Sequence, residues 1–399
     1  MRILLAANAS YAPPRGGATR SNLVWLHHLA RAGHQCHIVA GQSQPGADLL
    51  FHPSIRIASI DQPAARVEAF RREIREFAPD WVLVSSEDLG HALLREARHG
   101  APGRLVYLAH TPQFFPFGRE AWNPDRHAAE AVAEAAGIVT IGAHMAAYVK
   151  SELGREAAVI HPPVYGEGPF AVPDAAAGLV TMLNPCAVKG VSLFAALAQR
   201  LPACRFGAVS GWGTNAADRR LLDALPNFEW LPNARNLDDI LSRTRILLVP
   251  SLWYEGFGLV VMEAMLRGIP VIASDRGGLP EAKCGTAGVL HVEGIERYQP
   301  VFDELRMPLP VLPPNDAAPW AEAVAGLAHN PERWRRESQA SREAAAGFTA
   351  GLHAGHLEHW LQQLRPFSGA QGEPATIESL SPGRRALLLR CLRQRKIST

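Results

Sequence analysis

Short apolar runs that end in a glycine-rich or polar turn, each followed by an amphipathic stretch, recur along this chain. That alternation points to parallel α/β sheets and to little else. Arg2 to Ala7 reads as a buried strand, Ser10 to Gly17 is a Pro/Gly-rich loop, and Thr19 to Ala32 carries Leu23, Leu26, Leu29 and Ala30 at helical spacing. Gly33 stops that helix and Cys36 to Ala40 is the next strand, completing a parallel βαβ unit. Further strands are expected at Trp81 to Ser85, Leu105 to Ala109, Gly137 to Ile141 and Ala158 to Ile160, giving one doubly wound domain over residues 1–168. After Pro162 and Pro163 the composition shifts to GEGPFAVPDAAAG, the Gly/Pro density of an interdomain connection. The rhythm then restarts at Leu179 to Leu183, with a helix near Val191 to Leu201 and strands at Cys204 to Val209, Phe228 to Leu231, Ile246 to Val249, Val271 to Ala273 and Gly288 to His291. A second domain of the same class, residues 169–345, follows. A helix from Phe348 to Leu364 (within 346–364) is expected to close the core, and residues 365–399 form a basic tail.

The expected architecture is therefore two doubly wound, Rossmann-like domains facing each other. Ligands of such sheets bind where the carboxyl ends of the strands meet, so chemistry is expected in the cleft. Composition narrows the ligand class. With 40 basic against 38 acidic residues in 399, the chain lacks the charge of a nucleic-acid binder. Five cysteines, Cys36, Cys186, Cys204, Cys284 and Cys391, show no CxxC spacing, which signals neither a disulfide framework nor a zinc cluster and fits a reducing, cytoplasmic location. No apolar run reaches the length of a membrane span, and MRILLAANA is too short for a signal-peptide core.

The most informative segment is PSLWYEGFGLVVMEAMLRGIPVIASDRGGLPE, Pro250 to Glu281. A loop with Glu255, Gly256, Phe257 and Gly258 leads into a helix that begins near Leu259. The first turn of a helix offers unpaired amides and a positive dipole end to a phosphate, and glycines let the backbone approach it. Glu263 stands one turn on, about 6 Å along the axis. There a carboxylate can accept hydrogen bonds from both hydroxyls of a ribose whose phosphates lie at the helix start. Its neighbours Val260, Val261, Met262, Ala264 and Met265 are too apolar for a plain solvent-facing turn. Elsewhere, Lys189 in LNPCAVKG follows a strand and a turn, where its ammonium can neutralise a leaving diphosphate. Gly16 and Gly17 in RGGATR form a second phosphate-friendly loop before a helix. His110 ends the strand LVYLAH and points into the cleft, and Asn233 and Arg235 in LPNAR can flank a nucleobase. No Asp-x-Asp occurs, so the sequence offers no evident carboxylate pair to hold a metal under a diphosphate.

Glu255-x7-Glu263 in EGFGLVVMEAM, GIPVIASDRGGLPE, the Gly16-Gly17 loop and Lys189-Gly190 together resemble the family 4 glycosyltransferases of the GT-B fold. The resemblance covers residues 1–364. It implies a donor-sugar contact for Glu255, a ribose contact for Glu263, and a place near the donor sugar for His110. Gly256, Phe257, Gly258 and Leu259 fall at the diphosphate. The family usually carries an Arg five residues before the Lys, and here that position is Asn184, so one positive charge of the expected clamp is missing. Lys189 with backbone amides, or Arg15 or Arg20, would have to supply it. The implied activity is hexosyl transfer from a nucleoside-diphosphate sugar, a UDP-sugar being favoured, to an acceptor the sequence does not identify, with retention and without a metal or other cofactor.

Alternatives in the same fold are a nucleotide-sugar epimerase or a phosphorylase; from another class, a non-catalytic nucleotide-sugar-binding subunit, which Asn184 motivates. The tail holds Arg384, Arg385, Arg390, Arg393, Arg395 and Lys396 with no acidic residue after Ser379. LSPGRRALLLRCLRQRK resembles short segments that flank condensation domains of assembly lines. The contacts it suggests are an assembly-line partner or an anionic membrane surface, alongside packing on its own protein.

Overall fold

The structure, a computed structural model, describes residues 1–14, 16–41, 51–172, 178–234 and 236–368. The first sheet is built from β1 (Arg2–Ala6), α1 (Gly17–Arg31), β2 (Gln35–Ala40), β3 (Ile55–Ser59), α2 (Pro63–Glu76), β4 (Trp81–Ser85), α3 (Ala92–Gly100), β5 (Leu105–Ala109), α4 (Arg126–Ala133), β6 (Gly137–Thr140), α5 (Ala143–Leu153) and β7 (Ala158–Val159). Its seven strands are all parallel in the order β3-β2-β1-β4-β5-β6-β7. WVLVS and LVYLA are buried at every residue, as unbroken apolar runs covered on both faces must be. Strand order reverses between β1 and β4, which opens a crevice beyond Ala6 and Ser85.

The second sheet comes from β8 (Leu179–Leu183), α6 (Val191–Arg200), β9 (Phe206–Val209), α7 (Ala216–Asp223), β10 (Phe228–Leu231), α8 (Asp238–Leu241), β11 (Thr244–Val249), α9 (Leu259–Leu266), β12 (Val271–Ser274), α10 (Leu279–Ala282) and β13 (Val289–Leu290). Its order is β10-β9-β8-β11-β12-β13, again parallel, with the reversal at β8 and β11. Those strands deliver Lys189 and Glu255 to the second crevice. An antiparallel pair, β14 (Tyr298–Phe302) and β15 (Pro308–Pro310), is inserted before α11 (Ala318–Ala328), α12 (Pro331–Thr349) and α13 (Gly355–Gln363). Apolar packing crosses between the two halves. One cluster runs from Ile3 and Leu26 to Phe257, Val261 and Met262.

Three features depart from the sequence reading. β3 is a half-exposed edge strand whose IRIAS carries too little apolar periodicity to stand out. The β14/β15 pair is proline-punctuated and exposed, so it lacks a strand's usual signature. The single helix expected over Phe348 to Leu364 is two: α12 ends at Thr349, a turn follows, and α13 opens at Gly355. The break has a function in packing. α12 packs on α9, whereas α13 returns to the first sheet's side, where Glu358 accepts from His28 and His34 at 2.9 Å each. Of the tail, residues 369–399 lie outside the described residues.

At β6, Gly137 leaves room for the Trp360 ring of α13, and a Cβ there would run into it. Gly137→Ala should therefore destabilise the protein by about 1–3 kcal/mol through overpacking. Thermal unfolding checks this. An unchanged Tm would mean that α13 does not dock on this strand.

Candidate active site

The loop between β11 and α9 is held from behind by glycines that the sequence places twenty residues later. Gly277 (φ 61°) lies so close to the Glu255 backbone that a Cβ would overlap it, and the Gly278 amide donates to the Glu255 carbonyl at 2.8 Å. Gly258 (φ 100°) turns the chain into α9, whose N-terminus no side chain caps. The amides of its first turn are thus offered to an anion. Phe257 is buried and stacks on Phe348 with ring centroids 5.6 Å apart, so its side chain belongs to the core and only its backbone faces the loop.

Glu255 is largely buried, and its Oε1 accepts from Lys189 Nζ at 2.5 Å and from Ser251 Oγ. Lys189 also lies over the Trp253 ring, 4.2 Å from its centroid. The turn that carries it needs Gly190 (φ 84°), because a Cβ there would strike the Pro250 carbonyl. The sequence thus brings Lys189 and Glu255 together from strands β8 and β11. Asn184 closes β8 in a left-handed conformation (φ 55°). Its Oδ1 accepts from the Gly213 amide at 2.9 Å, and its buried Nδ2 has no hydrogen-bond partner. Asn184 therefore organises the loop after β9 and keeps one donor unspent.

The two halves meet at this loop. A Cβ on Gly256 would overlap the carbonyl of His110 at the end of β5, and one on Gly17 would lie 2.8 Å from Leu259 Cδ1. The Gly16-Gly17 turn at the start of α1 consequently faces the start of α9. His110 is 3% exposed. Burial pushes its imidazole down to about 3, so the ring is neutral at any working pH.

Glu263 is 4% exposed and its Oε1 accepts from Arg20 Nη2 at 2.6 Å, across the cleft. Burial raises its carboxyl above the ordinary carboxylate range, and Arg20 opposes that shift. Arg20 also donates to the Val164 carbonyl at 2.9 Å. Its charge is therefore placed at Glu263. Beside this pair lies a cavity of about 450 Å³ lined by Arg20, Tyr165, Phe170, Asp238, Glu263 and Arg267 among others. The Tyr165 hydroxyl is buried without a partner there. Asn233 is exposed on the loop after β10, while Arg235 and Arg15 lie outside the described residues. Tyr165 and Phe170 escaped the sequence reading because they belong to the Gly/Pro-rich connection, where an aromatic pair was the available signal. Glu281 stands in the sequence as the end of the GGLPE motif. Its two carboxylate oxygens accept from the Ala143 and His144 amides at 2.8 and 2.9 Å, capping α5 from the other domain.

Among the described residues, no group of three or more His, Cys, Asp or Glu side chains could hold a metal ion. None of their helices is long and apolar enough to cross a membrane.

Two family models meet end to end on this geometry. Residues 15–165 match the model described as Glycosyltransferase Family 4, and residues 177–298 match Glycosyl transferases group 1. The chain belongs to the family 4 glycosyltransferases. A D-inositol 3-phosphate glycosyltransferase of Nocardia farcinica is 34% identical over 128 residues, 32% of this chain and 24% of that protein. A GDP-mannose-dependent alpha-mannosyltransferase of Mycobacterium tuberculosis is 32% identical over 147 residues, 32% of this chain and 39% of that protein. The matched stretches thus span well under half the length of these curated relatives. Over the whole fold, sucrose-phosphate synthase from Thermosynechococcus elongatus superposes with a TM-score of 0.69 at 18% identity, covering 91% of this chain and 98% of its own. Anabaena HepE in complex with UDP and glucose gives 0.68 at 16% identity, covering 91% and 100%. This family 4 chain therefore has the GT-B fold, two parallel-sheet domains facing across a cleft.

Beside the apolar packing, Glu281 and the Arg20–Glu263 pair bridge the two domains. Glu281→Ala should lower stability by about 0.5–2 kcal/mol by removing the cap on α5. Combined with Arg20→Ala it should enlarge the radius of gyration in small-angle X-ray scattering. A scattering profile identical to that of the parent protein would show that these contacts do not hold the domains together.

Proposed function

We propose that this chain transfers a hexosyl group from a nucleoside-diphosphate sugar, with a UDP-sugar favoured, to an acceptor hydroxyl with retention of anomeric configuration. The observation that carries the proposal is the pair Glu255 and Glu263 at either side of the uncapped α9 N-terminus. One carboxylate stands at the loop beside His110 and the other beside the open cavity of about 450 Å³. In this reading the nucleoside occupies the cavity, Glu263 Oε2 accepts from a ribose hydroxyl while Oε1 keeps Arg20, and the diphosphate lies on the amides of Leu259 and Val260. The facing Gly16-Gly17 turn covers it. HepE, whose crystal structures hold UDP, UDP-glucose, and UDP with glucose, supports a uridine nucleotide as the first to try.

The reaction follows from charge. The bond between the anomeric carbon and the diphosphate oxygen breaks, and negative charge grows on the leaving group. Lys189, held between Glu255 and the Trp253 face, is placed to meet it. The acceptor oxygen attacks the anomeric carbon on the face the diphosphate vacates, and its proton passes to a diphosphate oxygen. Orientation by the closed domains and fixed dipoles supply the rate. In this reading the diphosphate charge is met by the Lys189 ammonium and the helix start. We place the reaction in the cytoplasm, a location that five cysteines without CxxC spacing fit.

Incubation with UDP-glucose and, in parallel, GDP-mannose tests the proposal through release of the nucleoside diphosphate. Failure of both nucleotides and of their diphosphates to bind by calorimetry would overturn it, and binding without turnover on a broad acceptor panel would favour a non-catalytic subunit. Two substitutions separate the roles. Glu263→Gln should raise the donor KM about tenfold, equivalent to about 1.4 kcal/mol, with kcat nearly unchanged. Lys189→Ala should mainly lower kcat, because the charge it meets develops in the transition state. The reverse pattern in steady-state kinetics would contradict both assignments.

A further inference from the structure

We propose that Trp212 and the β14/β15 hairpin form a platform for the apolar part of the acceptor, so that the hydroxyl glycosylated by this chain is carried on an aromatic or aliphatic aglycone. The proposal deepens the reading above and rests on it for the side from which the acceptor arrives.

The platform begins at the Lys189–Glu255 pair. Lys189 Nζ lies 4.2 Å from the centroid of the Trp253 ring, and Trp212, on the loop after β9, packs against that ring at 5.6 Å between centroids. Trp253 is buried, whereas Trp212 is 50% exposed. β15 packs against the Ala187–Lys189 turn, so the hairpin stands beside the same lysine. From the first domain Trp122 reaches this group, 6.1 Å from Trp253 and 5.5 Å from Tyr298 of β14. The turn of the hairpin is tied to the start of α7. Asn215 Nδ2 donates to Asp303 Oδ2 at 3.1 Å, and the Ala216 amide donates to Glu304 Oε1 at 2.7 Å. Both contacts fall within a few residues of Trp212 in sequence, so its loop and the hairpin adjoin.

What the hairpin leaves to solvent is apolar. Asp303 also accepts from the Leu305 and Met307 amides at 2.9 and 2.8 Å, so the carboxylates of the turn are engaged by the protein itself. Val301, Phe302 and Leu305 stay exposed, Phe302 by 67%. Scattered exposed apolar side chains mean little, but a group of them beside a reaction site marks a ligand surface. In the reading above the acceptor oxygen comes to the face the diphosphate leaves, where Lys189 stands, and Trp212 is the exposed ring on that side. A sugar can stack on one tryptophan, but Val301, Phe302 and Leu305 offer it nothing. Other occupants fit less well. An anionic membrane needs a cluster of cations, and residues 296–306 hold Arg297 and Arg306 against Glu296, Asp303 and Glu304. A second copy of the chain needs about 800 Å² on each partner, far more than four side chains present. A hydroxylated apolar molecule needs neither.

Binding separates the platform from the chemistry. Calorimetry of the full chain without nucleotide, against methyl, hexyl, octyl and naphthyl β-glucosides below their micelle concentrations, should show affinity rising about tenfold or more from the methyl to the octyl and naphthyl compounds. Trp212→Ala and Phe302→Ser, both at exposed positions, should abolish that rise. Val159→Ser, an exposed apolar position on the edge strand β7, should keep it. With UDP-glucose as donor and octyl glucoside as acceptor, Trp212→Ala should raise the acceptor KM about tenfold, the loss falling there and not on the donor KM.

Equal affinity across the series, or a rise that survives in both variants, overturns the platform. A flat series together with binding to anionic phosphatidylglycerol vesicles that Phe302→Ser removes overturns it in favour of a membrane. A flat series with a dimer that Phe302→Ser dissociates in light scattering overturns it in favour of a second copy. The two readings fail separately. A flat series in a protein that transfers glucose from UDP-glucose to some other acceptor removes the platform and leaves the proposed function standing. A series that rises through Trp212 in a protein that binds neither UDP-glucose nor GDP-mannose counts against the proposed function and not against the platform.

Discussion

The backbone of residues 255–258 is pressed between two others, and most of the site follows from that. Behind it, Gly277 and Gly278 touch Glu255; in front, the His110 carbonyl touches Gly256. Neither surface leaves room for a side chain. The glycines are therefore set by close approach of backbone, and they fix where Glu255 stands and where α9 begins. Once that loop is placed, the α9 amides face the Gly16-Gly17 turn and Glu263 falls one turn deeper, against Arg20.

Burial shapes the charges of this site differently on the two sides of the cleft. Glu255 is matched by Lys189 from its own domain. Glu263 is matched by Arg20 from the other domain, so the carboxylate assigned to the ribose also bridges the cleft. On the proposed reading, a nucleotide that engages Glu263 acts on a contact between domains. Glu281 adds a second bridge by capping α5, which gives the terminal Glu of the GGLPE motif a structural task.

Much of this was legible in the residues. Unbroken apolar runs such as WVLVS and LVYLA can only be covered strands, and their bounds in the structure are those expected. Lys189 and Glu255 were separately marked by strand ends, and the strand order that makes them neighbours is a tertiary fact. What the sequence hid has physical reasons. β3 and the β14/β15 pair are exposed edges without hydrophobic alternation. The break between α12 and α13 is invisible to periodicity because both pieces keep apolar faces. Arg20, considered as a phosphate ligand, is instead tied to Glu263 by a contact that spans 243 positions in sequence.

In the proposed reading one bound donor spans Glu263, the α9 N-terminus and the Lys189–Glu255 pair. A crystal structure of the chain with UDP tests it most directly. The account requires a ribose hydroxyl within hydrogen-bonding distance of Glu263, with the diphosphate on the Leu259 and Val260 amides and Lys189 directed at its terminal phosphate. UDP bound away from α9, or bound there with Glu263 touching Arg20 alone, would contradict it.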